Sequence, residues 1–374
     1  MMLNTLISWV NTNSHSSHLE GIEKMRALLK DSFSRLNGDI EEISLPPYKK
    51  ITSRGVFEEV EVGKALRITK RREAPFQVFL GGHMDTVYTK EDPFQKARFE
   101  NETLLIGPGA ADMKGGLLVM LEALLKFEKH PLSQKIGWEI FINTDEEIGS
   151  PSSRFYFEKV AKQFEVALLF EPGFPDGAIA EKRKGSLNIY AIAHGKTAHV
   201  GRDFEKGKNA IGIICNFATE IQKLLSLEKG IQLNLGSIQG GGPLNVIPDL
   251  AILGLNGRVE TLEELNLLKE AFNRFTSHEL SFFEVSIRPP KGSNHFFELL
   301  KKVASQIGEP LILRETGGTC DGNLLESFGL PSIDALGPIG GHLHTEHEYL
   351  DITSLEKRIN LTTHLLMELA QGAL

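Results

Sequence analysis

Histidine and carboxylate side chains concentrate in five short segments: GGHMDTVY (81–88), GPGAADMKGG (107–116), NTDEEIGS (143–150), FEPG (170–173) and GHLHTEHEYL (341–350). Neutral imidazole and ionised carboxylate are donors that a borderline divalent cation takes from protein. Two histidines with three carboxylates suffice for two Zn²⁺ ions that share one ligand and keep an open position for water. In the first segment Asp85 follows His83 closely enough to accept the ring N–H that a metal-bound imidazole leaves free. In the second, flanking glycines let the backbone bring Asp112 close to a site, where its two oxygens can bridge two cations. Glu146 and Glu147 are neighbours that leave a strand end in different directions, so one can bind metal while the other moves a proton. Each segment also has a simpler explanation. Asp85 and Asp112 serve as caps, Glu146 and Glu147 as an acidic first helical turn, Glu171 as a turn carboxylate, and His342, His344 and His347 as a solvated loop. Only their conjunction is specific.

Apolar runs precede most of these residues. FQVFLGGH (76–83), IGWEIFINT (136–144) and EVALLFEP (165–172) read as buried strands; after Asp112 a helix is expected to begin at Lys114, with its strongly helical run over 115–127. Strands alternating with helices predict an α/β fold with a mostly parallel sheet and helices on both faces. Ligands bind such sheets outside the carboxyl ends of the strands. Nearer the N-terminus, Leu19, Ile22, Met25, Leu28 and Leu29 have helical spacing that stops at Asn37-Gly38. From about Gly185 the order becomes strand, helix, strand, strand, helix, strand, which predicts an α+β unit of ferredoxin-like type. The expected organisation is an α/β domain over 1–183 and 291–374, interrupted by an inserted lid domain over 184–290.

The chain has 374 residues, 41% hydrophobic and 24% charged, which is ordinary for a globular chain of about two domains. A net charge of -8 argues against nucleic acid or an anionic membrane as the main partner. Cys215 and Cys320 make no disulfide framework and suit a reducing compartment. No run reaches the length of a membrane span. The N-terminal MMLNTLISWVNTNSHSSHLE reads as the start of a helix, not a secretory signal, so a cytoplasmic location is expected.

In order and wording the segments resemble the two-zinc aminoacylase/carboxypeptidase family of metallopeptidases, over nearly the whole chain. That family includes glutamate carboxypeptidase, aminoacylase, acetylornithine deacetylase, succinyl-diaminopimelate desuccinylase and related dipeptidases. GGHMDTVY, GPGAADMKGG and TDEEIGS are the most specific pieces. The resemblance implies that His83, Asp112 and Glu171 hold one zinc ion, and that Asp112, Glu147 and a late histidine hold the other. The late ligand of the family stands four residues before a glutamate, which points to His344 ahead of Glu348, with His342 and His347 as competitors. Asp85 would orient His83, and Glu146 would be general base and then acid. In the lid segment GKTAHVGRDFEKGKNAI (195–211), His199 would reach a substrate oxygen, often from across a dimer. Asn245, Arg258 and the loop of Gly317, Gly318 and Thr319 would bind the substrate carboxylate or carbonyl. Two Zn²⁺ per chain, Co²⁺ as a substitute, and a homodimer through the inserted domain are implied in the same way. Two departures stand out: Glu171 takes a place where some members carry Asp, and Leu255-Asn256-Gly257 lacks the acidic residue often found near the arginine.

The expected activity is therefore hydrolysis of an amide bond, in a small peptide or N-acyl amino acid, beside a free carboxylate. A glutamate carboxypeptidase-like enzyme is one form, and an N-acyl amino acid deacylase of the same mechanism is the alternative. A silent scaffold would have lost Glu146 or Asp112, and both are present. A nucleotide-binding protein would need a glycine-rich phosphate loop, and Asp112 in GPGAADMKGG would repel phosphate.

Overall fold

Side chains of a strand alternate between its two faces, and that alternation divides the main core in two. Val78, Leu80, Ile140, Ile142, Val166 and Leu168 pack with the helices Leu19–Phe33, Gly116–Phe127 and Thr353–Ala370. Phe79, Phe141, Ala167 and Leu169 pack on the opposite face with the helices Arg154–Val160 and Asp321–Ser327. Strands covered on both sides read as continuous apolar runs, and every residue of Ile136–Asn143 is buried. The computed structural model describes residues 2–225, 230–309 and 311–372.

The main sheet runs Asp39–Ile43, Ala65–Lys70, Ile136–Asn143, Phe76–His83, Val166–Leu169, Ser332–Ile333. The last four strands are parallel; the first two join through antiparallel ladders. DIEEI and ALRITK carry too little apolar periodicity to announce this antiparallel edge. Ion pairs cross it instead, Arg67 reaching Glu41 at 3.0 Å and Glu139 at 2.7 Å.

Four strands, Gly185–His194, Gln232–Gly240, Leu250–Val259 and Leu280–Arg288, form a separate antiparallel sheet in the spatial order second, third, first, fourth. With helices Ala210–Leu225 and Leu262–Phe275 packed over Leu187, Ala191, Leu253 and Leu255, this is the expected ferredoxin-like arrangement. The chain enters and leaves this lid side by side, where Arg183 and Lys291 exchange backbone hydrogen bonds of 3.1 and 2.9 Å. A hairpin from the α/β domain, Tyr48–Ile51 with Phe57–Val60, reaches across to the far end of the lid sheet. There Ile51 packs with Ile192 and Ile252, and the Phe57 and Phe283 rings lie 4.8 Å apart. Among the described residues no helix is long and apolar enough to cross a membrane.

One boundary differs from expectation. The helix starts at Gly116, not Lys114, because Ala110–Gly115 form a kinked turn in which Asp112 (φ -111°, ψ 93°) is not helical. The N–H groups of Gly109, Ala111 and Asp112 bond the Glu348 carboxylate instead of helix carbonyls. Gly116 itself is helical (φ -64°, ψ -42°), where alanine is intrinsically favoured by about 1 kcal/mol. A Cβ there would nevertheless fall 1.9 Å from the carbonyl oxygen of Phe170, the residue before Glu171. Gly116→Ala is expected to lose about 1–3 kcal/mol in urea unfolding through overpacking; unchanged or greater stability would contradict this close approach.

Candidate metal centre

Three parallel strands end at one level and deliver the chemistry there. His83 closes its strand, a turn after Asn143 presents Glu146 and Glu147, and Glu171 follows Leu169. Asp112 comes from the kinked turn, and His344 (φ 62°) from the loop before the strand Tyr349–Asp351.

These residues form two groups around one shared carboxylate. His83 Nε2 is 3.1 Å from Asp112 Oδ1 and 3.9 Å from Glu171 Oε2. His344 Nε2 is 3.5 Å from Asp112 Oδ2 and 3.3 Å from Glu147 Oε2. Asp112 thus turns one oxygen to each histidine. Donor atoms of His83, Asp112 and Glu147 all lie within 4.8 Å of one another. The other late histidines make different contacts: His347 approaches Glu346 at 3.7 Å, and His342, which lines the same cavity, has its ring 5.7 Å from that of Tyr349.

Asp85 has more partners than the sequence indicates. His83 Nδ1 lies 2.9 Å from the Asp85 carbonyl oxygen and 3.4 Å from its carboxylate. The same buried carboxylate accepts the Ser16 hydroxyl at 2.7 Å and the N–H groups of Glu146 and Glu147 at 3.3 and 3.2 Å. It therefore orients the imidazole and also pins the turn that carries both glutamates.

Burial and crowding dominate the electrostatics. Burial, with the nearby Asp112, pushes Glu147 up to about 8, and burial raises Glu171 well above the usual carboxylate range. Burial disfavours charge on His83, but its contacts with Asp112 and Asp85 prevail and raise its basicity. His344 is pushed up to about 11 by Asp112 and Glu147. Asp112 is held low by the two histidines against the effect of burial. The basic atom that Glu171 approaches is beyond hydrogen-bond distance. An oxygen-rich set with two imidazoles, crowded enough to bind protons too tightly, fits divalent cations that would relieve the repulsion.

Glu146 turns away from this cluster. Its Oε1 is 2.7 Å from Arg288 NH1, and Arg288 also donates to the Glu146 carbonyl and the Ser150 hydroxyl, both at 2.9 Å. The cavity alongside measures about 940 Å³ and is lined by Asp112, Glu146, Glu147 and Glu171 and, facing them, Asn256, Arg258, Gly318 and Thr319. Arg258 donates to Asn256 Oδ1 at 3.0 Å and to the Gly317 carbonyl at 3.3 Å. Arg183 pairs with Asp334 and Arg288 with Glu146, whereas Arg258 has no carboxylate partner among the described residues. His199 and Asn245 lie apart from the cavity lining, exposed on the lid, where Val200 N–H bonds the Asn245 carbonyl at 3.0 Å. Sequence reasoning missed Arg183, Arg288 and the role of Glu348. No motif surrounds the arginines, whereas Glu348 stood inside a segment already singled out.

A profile of the peptidase family M20/M25/M40 matches residues 79–368. The chain belongs to this family. It is 30% identical to carboxypeptidase G2 of Pseudomonas sp. (strain RS-16), over 79% of this chain and 74% of that protein. It is 26% identical to succinyl-diaminopimelate desuccinylase of Hahella chejuensis (strain KCTC 2396), over 79% and 83%. Its fold is similar to an M20 family metallo-carboxypeptidase from Sulfolobus solfataricus (TM-score 0.75, 16% identity, 98% of each chain). It also resembles a dinuclear metal binding peptidase of the M20 family from Bacillus subtilis (TM-score 0.68, 14% identity, 99% and 98%). As a member of the M20 family the protein is a metallo-hydrolase of peptides or amides, and its His83, Asp112 and Glu147 donors lie close enough together to hold a metal ion.

Crowding predicts how stability depends on pH. In the metal-free chain folded Glu147 keeps its proton above the ordinary value of 4.5, where the unfolded chain has released it. The folded state then binds more protons, so stability falls as pH rises towards about 8. Raised His83 and His344 act in the same direction above 6.5. Chelator-treated protein is expected to lose denaturant resistance between about pH 5 and 8. Added Zn²⁺ should restore about 2.7 kcal/mol at one hundred times its Kd. A metal-free protein that gains stability across that interval would contradict this electrostatic account.

Proposed function

We propose that the protein hydrolyses an amide bond beside a free carboxylate, in a small peptide or N-acyl amino acid, as a two-zinc enzyme of glutamate carboxypeptidase type. The observation that carries this reading is the sharing of Asp112 between His83 with Glu171 and His344 with Glu147, while Glu146 stands beside them turned elsewhere. His83, Asp112 and Glu171 would hold one Zn²⁺ and Asp112, Glu147 and His344 the other, and ions held there would supply polarisation of a scissile carbonyl and a water whose pKa is lowered towards about 7.

The chain's own residues supply the rest. Glu146 takes the proton of the attacking water and passes it to the leaving nitrogen. Arg288 holds Glu146 Oε1 and so leaves Oε2 for proton transfer. Arg258, the cavity arginine without a carboxylate of its own, is the natural partner for the substrate carboxylate, since a guanidinium pairs with it in fixed geometry. The loop of Gly317, Gly318 and Thr319 lies beside it. Similarity to a desuccinylase favours the alternative, an N-acyl amino acid deacylase using the same residues.

His199 and Asn245 fit this scheme through a second copy of the chain. Among the described residues the lid's edge strand Gln232–Gly240 pairs on one side only, Ile238 on it is 61% exposed, and the nearby Leu244 is fully exposed. An unpaired edge with apolar neighbours is a pairing surface, and a homodimer formed there would carry His199 towards the partner's cavity. Sedimentation should find a dimer, and His199→Ala should lower kcat with dimer and zinc content unchanged; a monomer with full activity would exclude this arrangement.

The reaction is tested by screening zinc- and cobalt-loaded protein against acylated glutamates, dipeptides and N-acyl amino acids, each with its carboxylate free or amidated. Turnover should require the free carboxylate. Glu146→Ala should keep two ions by elemental analysis and lose about 10²–10⁴-fold in kcat. Turnover near wild type, or indifference to amidation, would refute the corresponding role.

A further inference from the structure

We infer that Glu348 is a positioning residue whose carboxylate assembles both cation sites at once, by gripping the backbone of the Asp112 turn from the loop that carries His344. The inference rests on the dinuclear reading above, and it concerns a residue that touches neither substrate nor cation.

Glu348 is fully buried. Its Oε1 accepts the N–H groups of Ala111 at 2.9 Å and Asp112 at 3.0 Å. Its Oε2 accepts the Gly109 N–H at 3.1 Å and lies 2.7 Å from the Tyr88 hydroxyl. The Glu348 carbonyl takes a further N–H from Gly107 at 3.1 Å. A buried carboxylate is tolerated when its oxygens are filled by donors, and here donors from two different segments fill them.

The origin of those donors gives the arrangement its meaning. Tyr88 lies five residues beyond His83, the three N–H groups belong to the turn holding Asp112, and Glu348 lies four residues beyond His344. Three ligand-bearing segments that are far apart in sequence therefore meet at one carboxylate. Between His344 and Glu348 the loop is short and internally bonded, with Glu348 N–H on the Thr345 carbonyl at 3.1 Å and Thr345 N–H on that of His342 at 3.2 Å. The Tyr88 hydroxyl also lies 2.9 Å from the Thr345 carbonyl. From its other side the turn is held by buried Lys114, which donates to the carbonyls of Thr12 at 3.0 Å and Pro108 at 3.3 Å. Asp112 can offer one oxygen to each histidine only while its backbone is fixed relative to both. Glu348 supplies that fixation.

Glu348→Gln tests the inference, because it keeps size and shape but points an N–H₂ group at backbone donors. Zn²⁺ affinities are measured by competition with a chromophoric chelator, alongside circular dichroism and urea unfolding of the metal-free protein. Expected is a folded variant with Zn²⁺ bound about 10–100-fold more weakly, the range for lost outer-shell partners. At saturating Zn²⁺, kcat should be lower and KM little changed. Tyr88→Phe, which spares the three N–H bonds, should weaken Zn²⁺ binding in the same direction but less. A folded Glu348→Gln with wild-type affinity for both ions would overturn the inference. If that variant does not fold, Glu348→Asp, whose shorter side chain draws the carboxylate back from the three N–H groups while keeping its charge, decides instead, and wild-type affinity for both ions in it overturns the inference equally. Failure of the wild-type protein to take up two ions would instead sink the dinuclear reading, so the two failures are distinguishable.

Discussion

Buried carboxylates packed within a few ångströms of each other repel strongly, and the fold must hold them there. Asp112, Glu147 and Glu171 meet this condition, with the imidazoles of His83 and His344 as their nearest basic partners among the described residues. The shared use of Asp112 governs what surrounds it. Its turn cannot be helical, because its N–H groups serve Glu348 and its oxygens must reach two histidines. The helix behind it must start at a glycine, because Phe170 lies against that first residue. The neighbouring strands must end level, so that His83, the two glutamates and Glu171 enter the same space.

Positive charge comes to the cavity largely from the lid. Alternation along the lid strands turns Leu187, Ala191, Leu253 and Leu255 to its helices. Ser186, Asn188, Asn256, Arg258 and Arg288 turn to the cavity. Asn256 bonds Asn188 at 2.6 Å and Asn188 bonds Ser286 at 2.9 Å, so the wall facing the carboxylates is a connected polar surface. Further along the same face the pattern becomes apolar at Ile192, Ile252 and Phe283, and the hairpin of the other domain covers it there. One sheet face thus serves as cavity wall at one end and domain contact at the other. Arg288 ties the two roles together, because the last residue of a lid strand holds the carboxylate of Glu146.

Much of this was legible in the linear chain. The strands Phe76–His83 and Ile136–Asn143 and the lid order were readable because burial on both faces leaves long apolar runs, and burial on one face leaves alternation. The antiparallel edge was not readable, because Asp39–Ile43 and Ala65–Lys70 depend on neighbours and ion pairs more than on their own pattern. His83, Asp85, Glu146, Glu147 and Glu171 could be named because each lies in a short motif at the end of an apolar run, and Asp112 because it sits in a glycine-rich turn before a helical run.

By itself the sequence determined which residue types are available for the chemistry, and that strands and turns would deliver them, since periodicity and turn residues act locally. Only the tertiary structure decided that Asp112 faces both histidines, that His344 and not His342 or His347 approaches it, and that Arg288 reaches Glu146. It also decided that His199 and Asn245 stand outside their own chain's cavity. These are distances between segments separated by many residues. Such distances depend on packing of the whole core, which no local pattern encodes.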